Sequence, residues 1–229
     1  MNTFSPLILY DLALPSKNLI GVDEVGRGCL AGPVYAGAVY FSNLKALSDP
    51  WTEEINDSKK LTPRKREELC KLIKLNSFYS LGQASVKEIE QVGILNATLL
   101  AMHRAIEEIT KKENKKEFLV LVDGISKIKT LKHKQITIKK GDASSFHIAA
   151  ASIIAKTARD KFMADLAEEF KEYKPYNWHS NAGYGTKVHV QAILKHGPTE
   201  MHRAKFLRKI QASSLQQKLL PNKKIRVEK

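Results

Sequence analysis

Residues 19–41 read LIGVDEVGRGCLAGPVYAGAVYF. Leu19 to Val22 is a short apolar run that meets two adjacent carboxylates, Asp23 and Glu24, and then the turn-forming Gly26-Arg27-Gly28. This predicts a strand with acids at its exit. Residues 33–41, rich in Val, Tyr and Phe, predict a second strand. No long helix separates the two, so an antiparallel hairpin is the natural pairing. The stretch GRGCLA also matches the glycine pattern of dinucleotide-binding folds, but that fingerprint requires a helix directly after it. Here Gly32-Pro33 and a strand follow, which argues against a dinucleotide site. The loop suits a close backbone approach to a sugar or phosphate, with Arg27 nearby as a cation, and a plain tight turn is compatible with the same residues.

Outward from this segment, residues 78–86 predict a third strand. Apolar residues at helical spacing from Ile94 to Ile109 predict an amphipathic helix. EFLVLV, residues 117–122, is a continuous apolar run closed by Asp123-Gly124, as expected of a buried strand. QITIK, residues 135–139, alternates like a half-exposed strand and ends at Gly141-Asp142. Residues 144–173 carry the longest helical pattern, and residues 186–195 and 202–213 predict two more helices. Three early strands, a helix, two strands and then helices make an α/β protein: a mixed sheet flanked by helices, with a helical C-terminal appendage.

The chain has 229 residues, with 38 Lys and Arg against 24 Asp and Glu, a formal net charge of +14. Residues 201–229 hold nine of the basic residues against one acid, and residues 124–141 hold six lysines and no acid. Basic patches of this kind attract phosphate backbones, although a solvated basic surface has the same composition. No apolar run approaches the roughly 18 residues of a membrane span. Residues 1–14 lack a basic start and carry Asp11 within their apolar run, which argues against a secretory signal. The two cysteines, Cys29 and Cys70, form no CxxC pair, as expected of a reducing, cytoplasmic setting.

Against this basic background four acids fall at strand ends: Asp23, Glu24, Asp123 and Asp142. Strand ends are where α/β proteins build sites. Converging carboxylates repel one another unless cations lie between them, and hard oxygen donors suit Mg²⁺ or Mn²⁺. With a polyanionic partner, this points to two-metal phosphoryl transfer. Each acid alone has an ordinary reading as a loop or turn acid, and Asp142 as a helix cap. Asp160 lies 18 residues beyond Asp142; if most of that stretch is helical, it lies roughly 25 Å away, too far for the same site. His147 and His179 show no zinc-helix spacing, and Cys29 has no local His partner, so packing roles are expected of them.

The chain resembles the type 2 ribonuclease H (ribonuclease HII) family. The carrying residues are GVDEVGRG (21–28) with AGPV (31–34), DSKKLT (57–62), VDG (122–124), KGD (140–142), AAASIIAK (149–156) through Arg159-Asp160, GYGT (183–186), and Gly197-Pro198 with His202-Arg203 and Phe206. The resemblance implies a ribonuclease H-like catalytic domain over residues 18–185. Residues 1–17 are then an N-terminal extension, and residues 186–229 a basic helical appendage and tail. It implies a metal-dependent endonuclease acting on RNA/DNA hybrid and ribonucleotide-containing duplex DNA, with Asp23, Glu24, Asp123 and Asp142 as catalytic metal ligands. It assigns substrate contacts to Gly26, Arg27, Gly28, Ser58, Lys59, Lys60 and Tyr184. The chain departs from the family at Lys205, where a Ser often precedes the Phe.

Type 3 ribonuclease H shares the DEVGRG and DSKKL motifs but normally carries a sizeable N-terminal substrate-binding domain. Only about 18 residues precede the first strand here, which favours type 2. Another ribonuclease H-like nuclease, such as a resolvase or exonuclease, and a catalytically silent nucleic-acid binder are the competing classes. A monomer is the default expectation, since no heptad pattern is present. If the tail grips phosphates, deleting residues 208–229 should weaken duplex binding and flatten its salt dependence, by roughly 0.9 for each phosphate that is no longer neutralised. An unchanged salt slope in a binding titration would show that the tail does not touch the duplex.

Overall fold

The protein is described by a computed structural model covering residues 4–43, 47–113 and 117–219. Its centre is a five-stranded sheet of order β3-β2-β1-β4-β5, formed by β1 Leu19–Val25, β2 Val34–Tyr40, β3 Phe78–Ala84, β4 Leu119–Asp123 and β5 Lys134–Ile138. β1, β2 and β3 pair antiparallel, and β4 joins β1 and β5 in parallel. The helices are α1 Pro6–Leu12, α2 Pro63–Asn76, α3 Val86–Glu113, α4 Phe146–Glu169, α5 Trp178–Asn181, α6 Lys187–His196 and α7 Ala204–Leu219. The expected mixed sheet flanked by helices, with helices at the C-terminal end, is present. Of the basic tail, residues 220–229 lie outside the described residues.

Period-two alternation assigns the two faces of the sheet. Ile20 and Val22 of β1, Val34, Ala36 and Ala38 of β2, and Val120 and Val122 of β4 pack with Ala97, Ala101, Met102 and Ile106 of α3. On the other face, Leu19, Leu119 and Leu121 meet Ile148 of α4, while Val39 and Phe41 join α2 and α4. Burial on both faces explains why residues 118–122, FLVLV, are apolar without interruption, while Glu117 before them is exposed. The backbone of α4 comes so close to β1 that a Cβ on Gly21 would collide with the backbone of His147 and Ile148.

Several local expectations need correction. β1 does not stop before the acids: its pairing with β2 continues through Asp23–Gly37 and Glu24–Ala36, so both acids sit on the strand itself. The third strand stops at Ala84 because Ser85 and Glu88 form a reciprocal capping box, at 2.8 and 3.2 Å, that starts α3. The helix expected from Ile94 is the second part of α3, bent at Gly93 (φ 78°). Three helices are absent from the expected order: α1, α2 and α5, the last a single turn within residues 175–185, which read as a loop. In α2 only Arg66, Leu69, Cys70 and Ile73 are buried, so its apolar stripe is thin, although Thr62-Pro63 is a helix-start signal. In α1, Asp11 is buried and accepts a hydrogen bond from the His147 backbone N–H (2.9 Å) and pairs with its Nδ1 (2.7 Å).

Gly21→Ala should cost about 1–3 kcal/mol, the range typical of overpacking. At Gly28 an added Cβ would meet nothing within 4 Å, and Gly28→Ala should stay within about 0.5 kcal/mol of the parent. Urea unfolding of both variants checks the contrast.

Candidate active site

The parallel register of β1 and β4 sets Val22 opposite Val122, so the next residues, Asp23 and Asp123, stand side by side where the two strands end. Both belong to the face that carries Gly21 and Leu121, turned toward α4. Glu24, one residue on, lines a cleft of about 320 Å³ on the α3 side with Arg27, Leu95, Leu99, Asp123 and Ile125. Even so, one carboxylate oxygen from each of Asp23, Glu24 and Asp123 lies within 4.8 Å of the others.

Backbone donors fix two of these carboxylates. The Glu24 N–H bonds Asp23 Oδ1 at 2.7 Å, and the Gly141 N–H bonds Asp123 Oδ1 at 2.6 Å. The second bond carries the short 3₁₀ turn Gly141–Ala143 to the strand ends, and Asp142 arrives with it. Asp142 does not cap α4, because Ser145 accepts the Ile148 N–H at 3.3 Å in that role.

The carboxylates act on one another. Burial pushes the Asp23 carboxyl well above the usual range, and Asp123, Glu24 and Asp142 push it further. Burial also raises Glu24, against the pull of Arg27, whose Nη1 lies 3.2 Å from Glu24 Oε1. Burial raises Asp142, and Asp57 and Asp123 add to the effect. Asp57 was not among the expected site residues, although it opens the DSKKL motif. Lys59 counters, pulling both Glu24 and Asp142 down, and its backbone N–H bonds Asp57 Oδ1 at 2.9 Å. Ser58 is buried and bonded through its carbonyl to Arg66 Nε at 2.9 Å, while Lys60 is exposed beside it. Asp160 is engaged elsewhere, with Lys156 at 2.8 Å and Arg66 at 3.5 Å.

Arg27 and Gly28 are exposed, and Gly26 is buried with φ 92°. A Cβ on Gly26 would strike the Arg159 guanidinium. This buried guanidinium donates to the carbonyls of Pro33 (2.9 Å), Ala31 (2.9 Å) and Ala182 (2.8 Å). Arg203, also buried, donates to Arg27 O at 2.9 Å and twice to Gly32 O at 2.9 and 2.7 Å. The loop is thereby joined to the 182–184 turn, where the Leu30 N–H bonds Gly183 O at 2.9 Å. Tyr184 is thus linked to the glycine loop. Its phenol interacts with Cys29 and is pushed up to about 12, chiefly by burial. Lys156 Nζ lies 5.2 Å from the centre of its ring. Arg159 and Arg203 were not expected as site-building residues, and their signal was their place in the motifs rather than any pattern of charge.

A sheet of this order with acids at the ends of its central strands defines a ribonuclease H-like protein. Two solved structures share the fold. One is the PCNA:RNase HII complex from Archaeoglobus fulgidus, with TM-score 0.63, 21% identity, and coverage of 82% of this chain and 94% of that one. The other is Bst-RNase HIII in complex with Mn²⁺, with TM-score 0.70, 17% identity, and coverage of 93% and 75%. The Ribonuclease HII family model matches residues 20–209, and a ribonuclease HII of Fusobacterium nucleatum is 52% identical over 90% of this chain and 92% of its own length. The chain belongs to the ribonuclease HII family. Among the described residues no helix is long and apolar enough to cross a membrane.

The raised carboxyls carry a pH signature. An acid whose pKa is higher folded than unfolded favours the folded state when protonated. Stability is therefore lost as pH rises from the unfolded carboxyl range through the raised folded value. In chelator, Asp23→Asn should raise Tm at neutral pH, and the gain should disappear below about pH 4, where unfolded aspartates protonate. A Tm at pH 7 that is unchanged or lower in this variant would contradict the arrangement.

Proposed function

We propose that this protein is a metal-dependent endonuclease that hydrolyses the RNA strand of RNA/DNA hybrids and cuts duplex DNA on the 5′ side of a single embedded ribonucleotide. The cut leaves a 3′-hydroxyl and a 5′-phosphate. The observation that carries this reading is the joining of three parts at one end of the sheet: the carboxylates, the exposed Arg27-Gly28 loop, and Tyr184 tethered to that loop. Family membership and the 52% identical relative support type 2 over type 3.

The donor set fits a hard divalent cation, since Asp23, Glu24 and Asp123 offer only carboxylate oxygens, and burial together with neighbouring negative charge raises both Asp23 and the nearby Asp142. Asp23, Glu24, Asp123 and Asp142 would hold Mg²⁺ or Mn²⁺. Such ions, when bound, activate the attacking water and stabilise the leaving oxygen. The side chains around them prepare the site: Arg27 orients Glu24, Gly141 orients Asp123, and Lys59 offsets the negative charge facing an incoming phosphate.

Recognition falls to the loop and to Tyr184. Every target shares an extra 2′-hydroxyl, which both donates and accepts hydrogen bonds, so backbone N–H and C=O groups are apt readers. Packing does not require a glycine at 28, where a side chain would find open space, and that space suits a sugar. The Tyr184 ring would pack on the next sugar, where the missing 2′-hydroxyl leaves room. Lys60 and the basic tail would grip the phosphate backbone.

Asp23→Asn and Asp123→Asn should each lower cleavage at least roughly a hundredfold while the fold persists; near-normal turnover of Asp123→Asn in Mg²⁺ would sink the assignment. Tyr184→Ala should lose more activity on a single-ribonucleotide duplex than on an all-RNA/DNA hybrid. An equal loss on both, or a wild type unable to cut the single-ribonucleotide duplex, defeats the junction reading.

A further inference from the structure

Behind Tyr184 lies a buried chain of two imidazoles whose proton positions follow from their partners. His189 Nδ1 is 2.9 Å from the Tyr184 carbonyl, which can only accept, so this nitrogen carries the proton. His189 Nε2 is therefore an acceptor, in agreement with the Trp178 indole N–H directed at it from 3.1 Å. The Thr199 backbone N–H, which can only donate, meets His202 Nδ1 at 2.9 Å. With its Nδ1 met by a backbone donor, neutral His202 carries its proton on Nε2, which lies 3.1 Å from His189 Nε2 and shares that nitrogen's single lone pair with the indole N–H. One direction of donation runs from Thr199 through His202 and His189 to the backbone of Tyr184.

Both rings are buried. The polarity holds only while both are neutral, and burial favours that state, lowering His189 and bringing His202 down to about 4. The far end of the chain is fastened to the glycine loop. His202 bridges Ala31, the Gly32 N–H bonds Met201 O at 2.8 Å, and the Arg203 N–H bonds Leu30 O at 2.8 Å. The dipeptide His202-Arg203 thus grips the loop with one residue's guanidinium and the Tyr184 turn through the other's ring.

We infer that His189 and His202 are positioning residues that set Tyr184 relative to the Gly26–Gly28 loop, and so govern discrimination for the RNA-to-DNA junction. This rests on the reading of Tyr184 given above. Both rings are buried, away from any surface a substrate could reach. A reader of one sugar and its neighbour must keep its two parts at a fixed separation, and displacement by about 1 Å from a remote change can cost a hundredfold. The hydrophobic cluster around Trp178, Tyr176 and Leu207 supports the rings but supplies no direction of its own.

The test measures kcat/KM on a single-ribonucleotide duplex and on an all-RNA/DNA hybrid for wild type, His189→Leu, His189→Asn and Tyr184→Ala, together with the His189→Leu/Tyr184→Ala double variant. His189→Leu should lower the single-ribonucleotide to hybrid ratio by roughly tenfold or more. His189→Asn, which keeps an N–H near the position of Nδ1, should restore part of it. In the Tyr184→Ala background, His189→Leu should not change the ratio further. A purely structural histidine would lower both substrates equally, and that outcome overturns the proposal. If the Leu variant does not fold, His202→Asn takes its place, retaining an acceptor for Thr199 but losing the donor to His189. An unchanged ratio in that variant overturns the proposal as well. Nitrogen NMR of the wild type should find His189 protonated at Nδ1 and His202 at Nε2; the opposite tautomers would also overturn it. A wild type without junction cleavage defeats the function reading instead, whereas a Tyr184 effect without a His189 effect defeats this inference alone.

Discussion

Asp23 is a carboxylate buried among three others, and much of the surrounding structure holds this repulsive arrangement in place. A buried charge is costly unless it is paired or ligated, and here the neighbours raise the cost. The parallel register of β1 and β4 forces Asp23 and Asp123 together. The Gly141 N–H then draws the Asp142 turn toward them. The glycine at position 21 lets the backbone of α4 approach β1 closely, and Asp23 is buried beside it while Asp123 is half-buried. A cluster of this kind is unfavourable alone, and bound cations would offset its repulsion, which would link metal affinity to fold stability.

The cations of the chain divide by burial. Arg159 and Arg203 are fully buried and spend their guanidinium N–H groups on backbone carbonyls from two loops. Planar donors with five N–H groups can fasten several carbonyls at once, which a lysine ammonium does less well. Arg27, Lys59 and Lys60 stay exposed, where charge can meet phosphate. Lys205, the departure from the family's usual serine, joins α7 to the carbonyl and carboxylate of Glu90 on α3. The cations that fix the loop geometry are thus different residues from those left exposed beside the acids.

The strands and the long helices were legible because their periodicities are strong. The apolar run up to Val122 fits a buried strand best, and the strand runs over Leu119–Asp123; the apolar repeat beyond Ser144 has the spacing of a long helix, which is α4. α2 was missed because half of its residues are charged and few are buried. α1 was missed because residues 1–14 were weighed only as a secretory signal, which Asp11 argues against, and no local pattern shows that Asp11 is a buried acceptor for His147.

Sequence alone determined the residue types of the site: acids at strand ends, glycines in the following loop, and a basic surface around them. Periodicity and composition are local, and they carried this much. Which acids meet was decided by tertiary structure, because the β1–β4 register joins residues a hundred positions apart. The same holds for Asp57 beside Asp142, for the guanidiniums that tie the glycine loop to the 182–184 turn, and for the His189–His202 chain behind Tyr184. These contacts depend on distance and direction in space, and no spacing along the chain encodes them.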